Sequence, residues 1–214
     1  MYKICVLVAL FLIYSLLGWI IETTYVFVKD NKFVNRGFLI GPVIPIYGTG
    51  GMLIFMLFNR FKDKPLLLFL ASIIVCTILE YLTSYFMEKL FKTRWWDYSK
   101  RKFNINGRVC LFNSLCFGIM SIIIVYFANP LFLNIIHRID PMVLKVVVVI
   151  LSVLFIVDFG ISTKIIYNFK GISKNVFTDA TEEINKKVKE VLLSKGVLLR
   201  RIAKSYPNFK VKRD

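Results

Sequence analysis

PLLLFLASIIVCTILEYLTSYFM, residues 65–87, carries a single charged side chain, Glu80, in an otherwise hydrocarbon-rich run. A helix rises about 1.5 Å per residue, so roughly 20 apolar residues cross a hydrocarbon core of about 30 Å. Within that core every backbone amide has to be satisfied internally, which makes a helix the natural reading. Working outward from this run, four more segments pass the same test: 4–28, 37–59, 109–129 and 141–163, the second with no charge at all. The chain of 214 residues is 57% hydrophobic with a mean hydropathy of +0.66, too apolar for a water-exposed surface. The expected class is an all-α integral membrane protein of five transmembrane helices.

Two domains are expected, a transmembrane region over 1–168 and a basic tail over 169–214. The first run is some 25 residues long with no small-residue cleavage motif after it, so it reads as a retained span. Cys5, Cys76, Cys110 and Cys116 all sit in apolar runs, which suits neither an extracellular disulfide frame nor a C-x-x-C metal site. With His137 as the single histidine, no metal site and no His-based triad is expected. No cofactor is implied.

The formal charge of +16 would suggest nucleic acid in a soluble protein. Here its placement explains it. Lys29, Lys32, Arg36, Lys89, Lys92, Arg94, Lys100, Arg101, Lys102 and Arg108 fall in the loops on one side, against Arg60, Lys62, Lys64 and Arg138 on the other. The positive-inside rule then predicts a multi-pass cell-membrane protein with its N-terminus outside and its C-terminus cytoplasmic. The charge meets anionic lipid headgroups of the bilayer, and no nucleic-acid partner is expected.

Ionisable residues within spans are costly unless they face a bundle interior, a cavity or a partner. Glu22, Glu80 and Asp158 each lie five to seven residues before the cytoplasmic end of their span, which predicts one polar layer. Stripes at spacings of three and four support inward faces: Ser15, Gly18, Glu22 and Tyr25; Thr77, Glu80, Ser84 and Glu88; Ser114, Gly118 and Ser121. Arg36, Arg94 and Arg108 are cationic partners from the same side. The layer is either a salt-bridged packing device or a substrate or ion site.

NRGFLIGPVIPIYGTGG, residues 35–51, interrupts the second span with Pro42 and Pro45, followed by Tyr47. Proline removes a backbone donor, so the segment is either a broken membrane helix of the kind that builds transporter sites, or a loop ending near Pro45 before a short helix. In RWWDYS, residues 94–99, Trp95, Trp96 and Tyr98 read as headgroup-level anchors, while Asp97 pairs with Arg94 or Arg108 or contacts a ligand headgroup. At an offset of 70, Lys32, Phe33, Gly37, Tyr47 and Gly48 align with Lys102, Phe103, Gly107, Phe117 and Gly118, which suggests two tandem helical hairpins plus one helix.

From Lys170 the composition turns polar, with twelve basic and five acidic residues. Asp179 and Glu182 resemble a helix cap, and Ile184, Val188, Val191, Leu198 and Ile202 form one apolar stripe. The tail is expected to be a cytoplasmic amphipathic helix on the inner leaflet or on a cytosolic partner.

GWIIE (18–22), NRGFLIGP (35–42) with PIYG (45–48), LEYLTSYFMEKLF (79–91), RWWDYS (94–99) and NGR (106–108) occur in this order. In these motifs the chain resembles the bacterial putative ABC-transporter type IV permease family, over about Gly18 to Tyr126. The resemblance implies a permease subunit, of unassigned substrate, working with a separate cytosolic ATPase. No G-x-x-x-x-G-K-[ST] phosphate loop is present, so nucleotide hydrolysis belongs to another chain. Five helices are few for a translocation path, so a homo-oligomer is expected with transport. Two alternatives stand beside it: an embedded enzyme acting on a lipid or isoprenoid headgroup, with Glu22 or Glu80 as acid or base and Arg36 and Arg108 on phosphate, and a non-catalytic scaffold.

Overall fold

The computed structural model describes residues 1–91, 93–174, 201, 205, 210 and 211. It is a helical bundle. Helix α1 covers Tyr2–Asp30, α2 Pro45–Phe58, α3 Pro65–Phe91, α4 Leu111–Ile123, α5 Asn129–His137 and α6 Pro141–Lys174. A π-helical turn, Ile124–Ala128, joins α4 to α5 as one rod. Among the described residues, four helices are long and apolar enough to cross a membrane: Tyr2–Asp30, Pro65–Phe91, Leu111–His137 and Pro141–Tyr167.

The expected second span, 37–59, is not one helix. Only Pro45–Phe58 is helical, with Pro45 in the first turn, where its missing N–H costs nothing. A 3₁₀ turn, Asn59–Phe61, follows. Upstream, residues 31–44 are irregular and fold back along α1, so that the Ile44 N–H donates to the Ser15 carbonyl at 2.9 Å. Ser15 lies mid-way along α1, so α2 begins deep in the bundle rather than at its end.

The fourth span also differs, running to His137 instead of ending at Asn129. A proline in a helix clashes with the carbonyl four residues back, here that of Tyr126, and the π turn just before Asn129 and Pro130 relieves it. Asn129 is thereby fully buried mid-rod, where the Tyr14 hydroxyl donates to its Oδ1 at 2.5 Å.

Helix α2 packs chiefly on α1, and α4 chiefly on α3. The α1 and α2 contact is reciprocal: Tyr47 lies on Gly18 and Tyr14 on Gly51, so close that a Cβ on Gly18 would stand 2.3 Å from Tyr47 Cγ and one on Gly51 2.5 Å from Tyr14 Cδ2. Pairing 14 with 51 and 18 with 47 makes the two helices antiparallel. In α3 the buried residues Leu68, Ser72, Cys76, Glu80, Ser84 and Glu88 recur every fourth position, one ridge along the helix. The Thr77 hydroxyl donates to Ser114 Oγ at 2.8 Å across to α4. Helix α6 lies outermost, with Val146, Val149, Val153, Leu154 and Ile156 exposed, as suits a lipid-facing surface.

Two ends of the bundle can be told apart. Tyr2 stacks with His137 at one end, where the Tyr126 hydroxyl also donates to the Lys62 carbonyl. The other end gathers residues 31–44 and the loop after α3. That loop holds β1 (Thr93–Arg94), β2 (Asn104–Ile105) and β3 (Val109–Cys110), with β2 and β3 antiparallel. Strand β4, Lys210–Val211, pairs antiparallel with β1. Gly37 and Gly107, aligned by the offset of 70, both take positive φ, 107° and 65°. The expected cap at Asp179 and Glu182 and the stripe from Ile184 to Ile202 lie outside the described residues.

Candidate functional site

Three polar groupings lie toward the loop end, and they divide the residues singled out from sequence. The first tethers the folded-back segment. Asp158 on α6 accepts from the Ile40 N–H at 2.9 Å, the Gly41 N–H at 2.7 Å and the Ser162 hydroxyl at 2.9 Å. Irregular backbone within a bundle leaves amides without intrahelical partners, and the carboxylate supplies acceptors for two of them. Trp19 Nε1 donates to Asn35 Oδ1 at 2.6 Å, and Asn35 Nδ2 donates to the Ile40 carbonyl at 2.8 Å. Arg201 donates to the carbonyls of Gly37 and Leu39, and Arg36 donates to that of Ser205. Pro42 follows the tethered amides directly, and Pro45 opens α2.

The second grouping is a buried ion-pair cluster. Glu88, 4% exposed, receives Arg94 Nε and Arg108 Nη1, both at 2.9 Å. Arg108 also reaches Ser84 Oγ at 3.3 Å and lies over the rings of Tyr81 and Tyr85. Asp97 stands 3.9 Å from Arg94 and accepts from the Ser99 N–H, closing the turn of RWWDYS. Two guanidinium groups close on one oxygen of the carboxylate, Oε2, and such pairing is what allows a buried charge to be tolerated.

The three aromatic residues read as interface anchors all have partners within the protein. Trp95 is buried against Phe38 and Phe91. Trp96 donates from Nε1 to the Arg108 carbonyl at 3.0 Å, and the Tyr98 hydroxyl reaches Glu80 Oε1 at 3.3 Å. Glu88 holds both Arg94, which opens this motif, and Arg108, beyond it. Burial pushes the Tyr98 phenol above its ordinary range, with Glu80 and Glu22 adding to the effect, so it stays protonated and donates.

The third grouping is a cavity of about 450 Å³ bounded by α1, α2, α3 and α4 together with residues of the two loops at that end. Its polar wall includes Glu22, Arg36, Tyr47, Glu80, Tyr98 and Asn113. Inside, Ile54, Leu79, Phe117, Met120 and Ile124 are hydrocarbon. The Tyr47 hydroxyl donates to Glu22 Oε1 at 2.8 Å, and Arg36 lies 3.6 Å from Glu22 Oε2. Glu80 is 6% exposed, and its Oε2 has no hydrogen-bond partner among the described residues.

The acids expected to share one layer are therefore divided: Glu22 and Glu80 face the cavity, whereas Asp158 holds the loop. Tyr25, placed on the same inward stripe, is exposed, because α2 starts too deep to cover the last turns of α1. Asn113, Cys76 and Cys116 line the cavity without having been singled out. Asn113 does have a signal in the sequence, as an amide side chain near the start of an apolar run, next to the Ser114 face.

Residues 9–163 match the family model described as putative ABC-transporter type IV. The chain belongs to that family. No curated protein and no solved structure matches it significantly. The match is wider than the motifs alone and takes in Asp158 as well as every residue of the cavity wall. As a member of the putative ABC-transporter type IV family with four apolar, span-length helices, it is a multi-pass membrane protein.

Proposed function

We propose that the chain is a five-span, permease-like subunit of an ABC-type transporter, with its substrate path at the loop end and ATP hydrolysis in a separate chain. The observation that carries this reading is the cavity: it is walled by α1, α2, α3 and α4, polar toward the loops and hydrocarbon within, the form expected of a site between helices for an amphipathic cargo. Family membership supplies the transporter context.

The fifth crossing is α2 together with residues 31–44. Its antiparallel register with α1 carries the chain from the loop end to the turn before α3, so a helix of 14 residues completes a passage that the folded-back segment begins. Two hairpins, α1 with α2 and α3 with α4, are then followed by α6. The Lys/Arg bias of the loops supports a cytoplasmic loop end, an external N-terminus and a C-terminal tail on the inner side. Assembly as a homo-oligomer would supply the further helices a path needs.

The embedded-enzyme alternative draws less support, because Arg108, one of its two phosphate ligands, is held by Glu88 and does not line the cavity. Purification in lipid nanodiscs from native membranes tests the transport reading. The expected result is a nucleotide-hydrolysing chain at fixed stoichiometry, with ATPase activity altered by Glu80→Gln. Recovery of this chain alone, without ATPase activity under several solubilisation conditions, would count against it. Membrane-impermeant labelling of Lys62→Cys but not Arg101→Cys from outside checks the orientation.

A further inference from the structure

We propose that the cavity is a binding site for an amine-headed, single-chain amphipath whose ammonium group is received by Glu80. As a substrate class this rests on the transport reading above; as a binding site it stands on the cavity itself.

Of the three charged residues in the wall, Glu22 and Arg36 are already joined to each other, with Tyr47 on the remaining Glu22 oxygen. Glu80 is different. One oxygen has a long bond from Tyr98; the Asn113 side chain also stands beside the carboxyl, but the second oxygen, buried, has no hydrogen bond of normal geometry from any described residue. A buried carboxyl oxygen without a hydrogen bond costs free energy that a leucine at this point of the α3 ridge would not incur. Its neighbours on that ridge are apolar or small, Cys76 and Ser84 among them, so packing does not call for a carboxyl there. A donor brought by a ligand completes it.

The wall also decides the sign of that ligand. Two carboxyl groups against one guanidinium leave no surplus of cations at the polar end among the described residues, in a chain whose overall charge is +16. An anionic head would meet Glu80 directly, while Arg36 is engaged by Glu22 and by the Ser205 carbonyl. Trp96, Tyr98 and Tyr47 offer aromatic surface in the same wall, which favours a cation further. From Asn113 at the polar end to Ile124 at the apolar end, the α4 side of the wall extends roughly 16 Å at the helical rise. That length, with Leu79, Phe117 and Met120 beside it, suits one alkyl chain.

The test uses the full chain in phosphatidylcholine nanodiscs and three probes with the same tail: dodecylammonium, dodecanol and dodecanoate. Affinities are corrected for partitioning into empty nanodiscs. Dodecylammonium should bind about tenfold or more tightly than either other probe, and Glu80→Gln should remove that advantage while leaving dodecanol unchanged. Equal binding of dodecanoate, or an unchanged preference in a folded Glu80→Gln variant, overturns the proposal. If that variant does not fold, the ranking of the three heads on the unaltered chain decides by itself. Failure to find an ATPase partner would remove the transport reading without touching this ranking.

Discussion

Tyr47 lies on Gly18, and from that seat its hydroxyl reaches Glu22 at 2.8 Å. One contact thus couples the packing of the first hairpin to the polar wall of the cavity. Tyr14 on Gly51 repeats the arrangement one turn deeper and ends on Asn129 of the fourth helical rod. In a bilayer, where lipid tails compete equally for apolar surface, such close backbone approach is a main source of helix association.

Gly18→Ala should therefore destabilise the protein, by about 1–3 kcal/mol as for other overpacked interiors, because the new methyl group would overlap the Tyr47 ring. Gly160→Ala, where a Cβ meets nothing within 4 Å, should be near neutral. Thermal unfolding of both variants in the same detergent checks the contrast.

Tyr47→Phe keeps the ring on Gly18 and removes only the bond to Glu22. Its unfolding midpoint should change little, with a net loss of about 0.5–1.5 kcal/mol, but the Arg36 and Glu22 pair should loosen. Amide hydrogen exchange at residues 36–44, compared with the unaltered chain, reports this directly.

Asp158→Leu strips the acceptor from the Gly41 amide and leaves that of Ile40 only Ser162 Oγ at 3.2 Å, at roughly 1–3 kcal/mol for a group left unsatisfied, whereas Asp158→Asn retains one acceptor oxygen. The leucine variant should expose residues 31–44 to protease far more than the asparagine variant. Equal protection in both would show that the loop is held by its other bonds.

Glu88→Gln breaks a buried cluster and leaves two guanidinium groups facing a neutral amide, a change that typically costs about 3–5 kcal/mol. Arg108→Leu should be more damaging than Arg94→Leu, since the Arg94 side chain is 24% exposed and that of Arg108 only 8%. The fraction recovered as a monodisperse peak after size-exclusion chromatography ranks the three variants.

Much of this was legible in the chain. Runs such as 65–87 need no partner to be recognised, because the bilayer demands internal backbone bonding and sufficient apolar length, and both are local properties. The inward ridge of α3 was legible for the same reason: a spacing of four places Glu80, Ser84 and Glu88 on one side. Residues 31–44 and RWWDYS were harder. A stretch carrying Gly41, Pro42 and Pro45 is compatible with several backbones, and its path is set by Asp158, more than a hundred residues away.

By itself, then, the sequence determined the helical, membrane-embedded character of the chain, the polarity of its loops and the family to which it belongs. Tertiary structure alone decided which acids share a cavity. Glu22, Glu80 and Asp158 are equivalent when read as charges near span ends. They part because Arg36 and Tyr47 close on the first, two loop amides close on the third, and Glu80 is left with one buried oxygen outside normal hydrogen-bond geometry with any described residue. That distinction depends on contacts between segments remote in the chain, which no local pattern encodes.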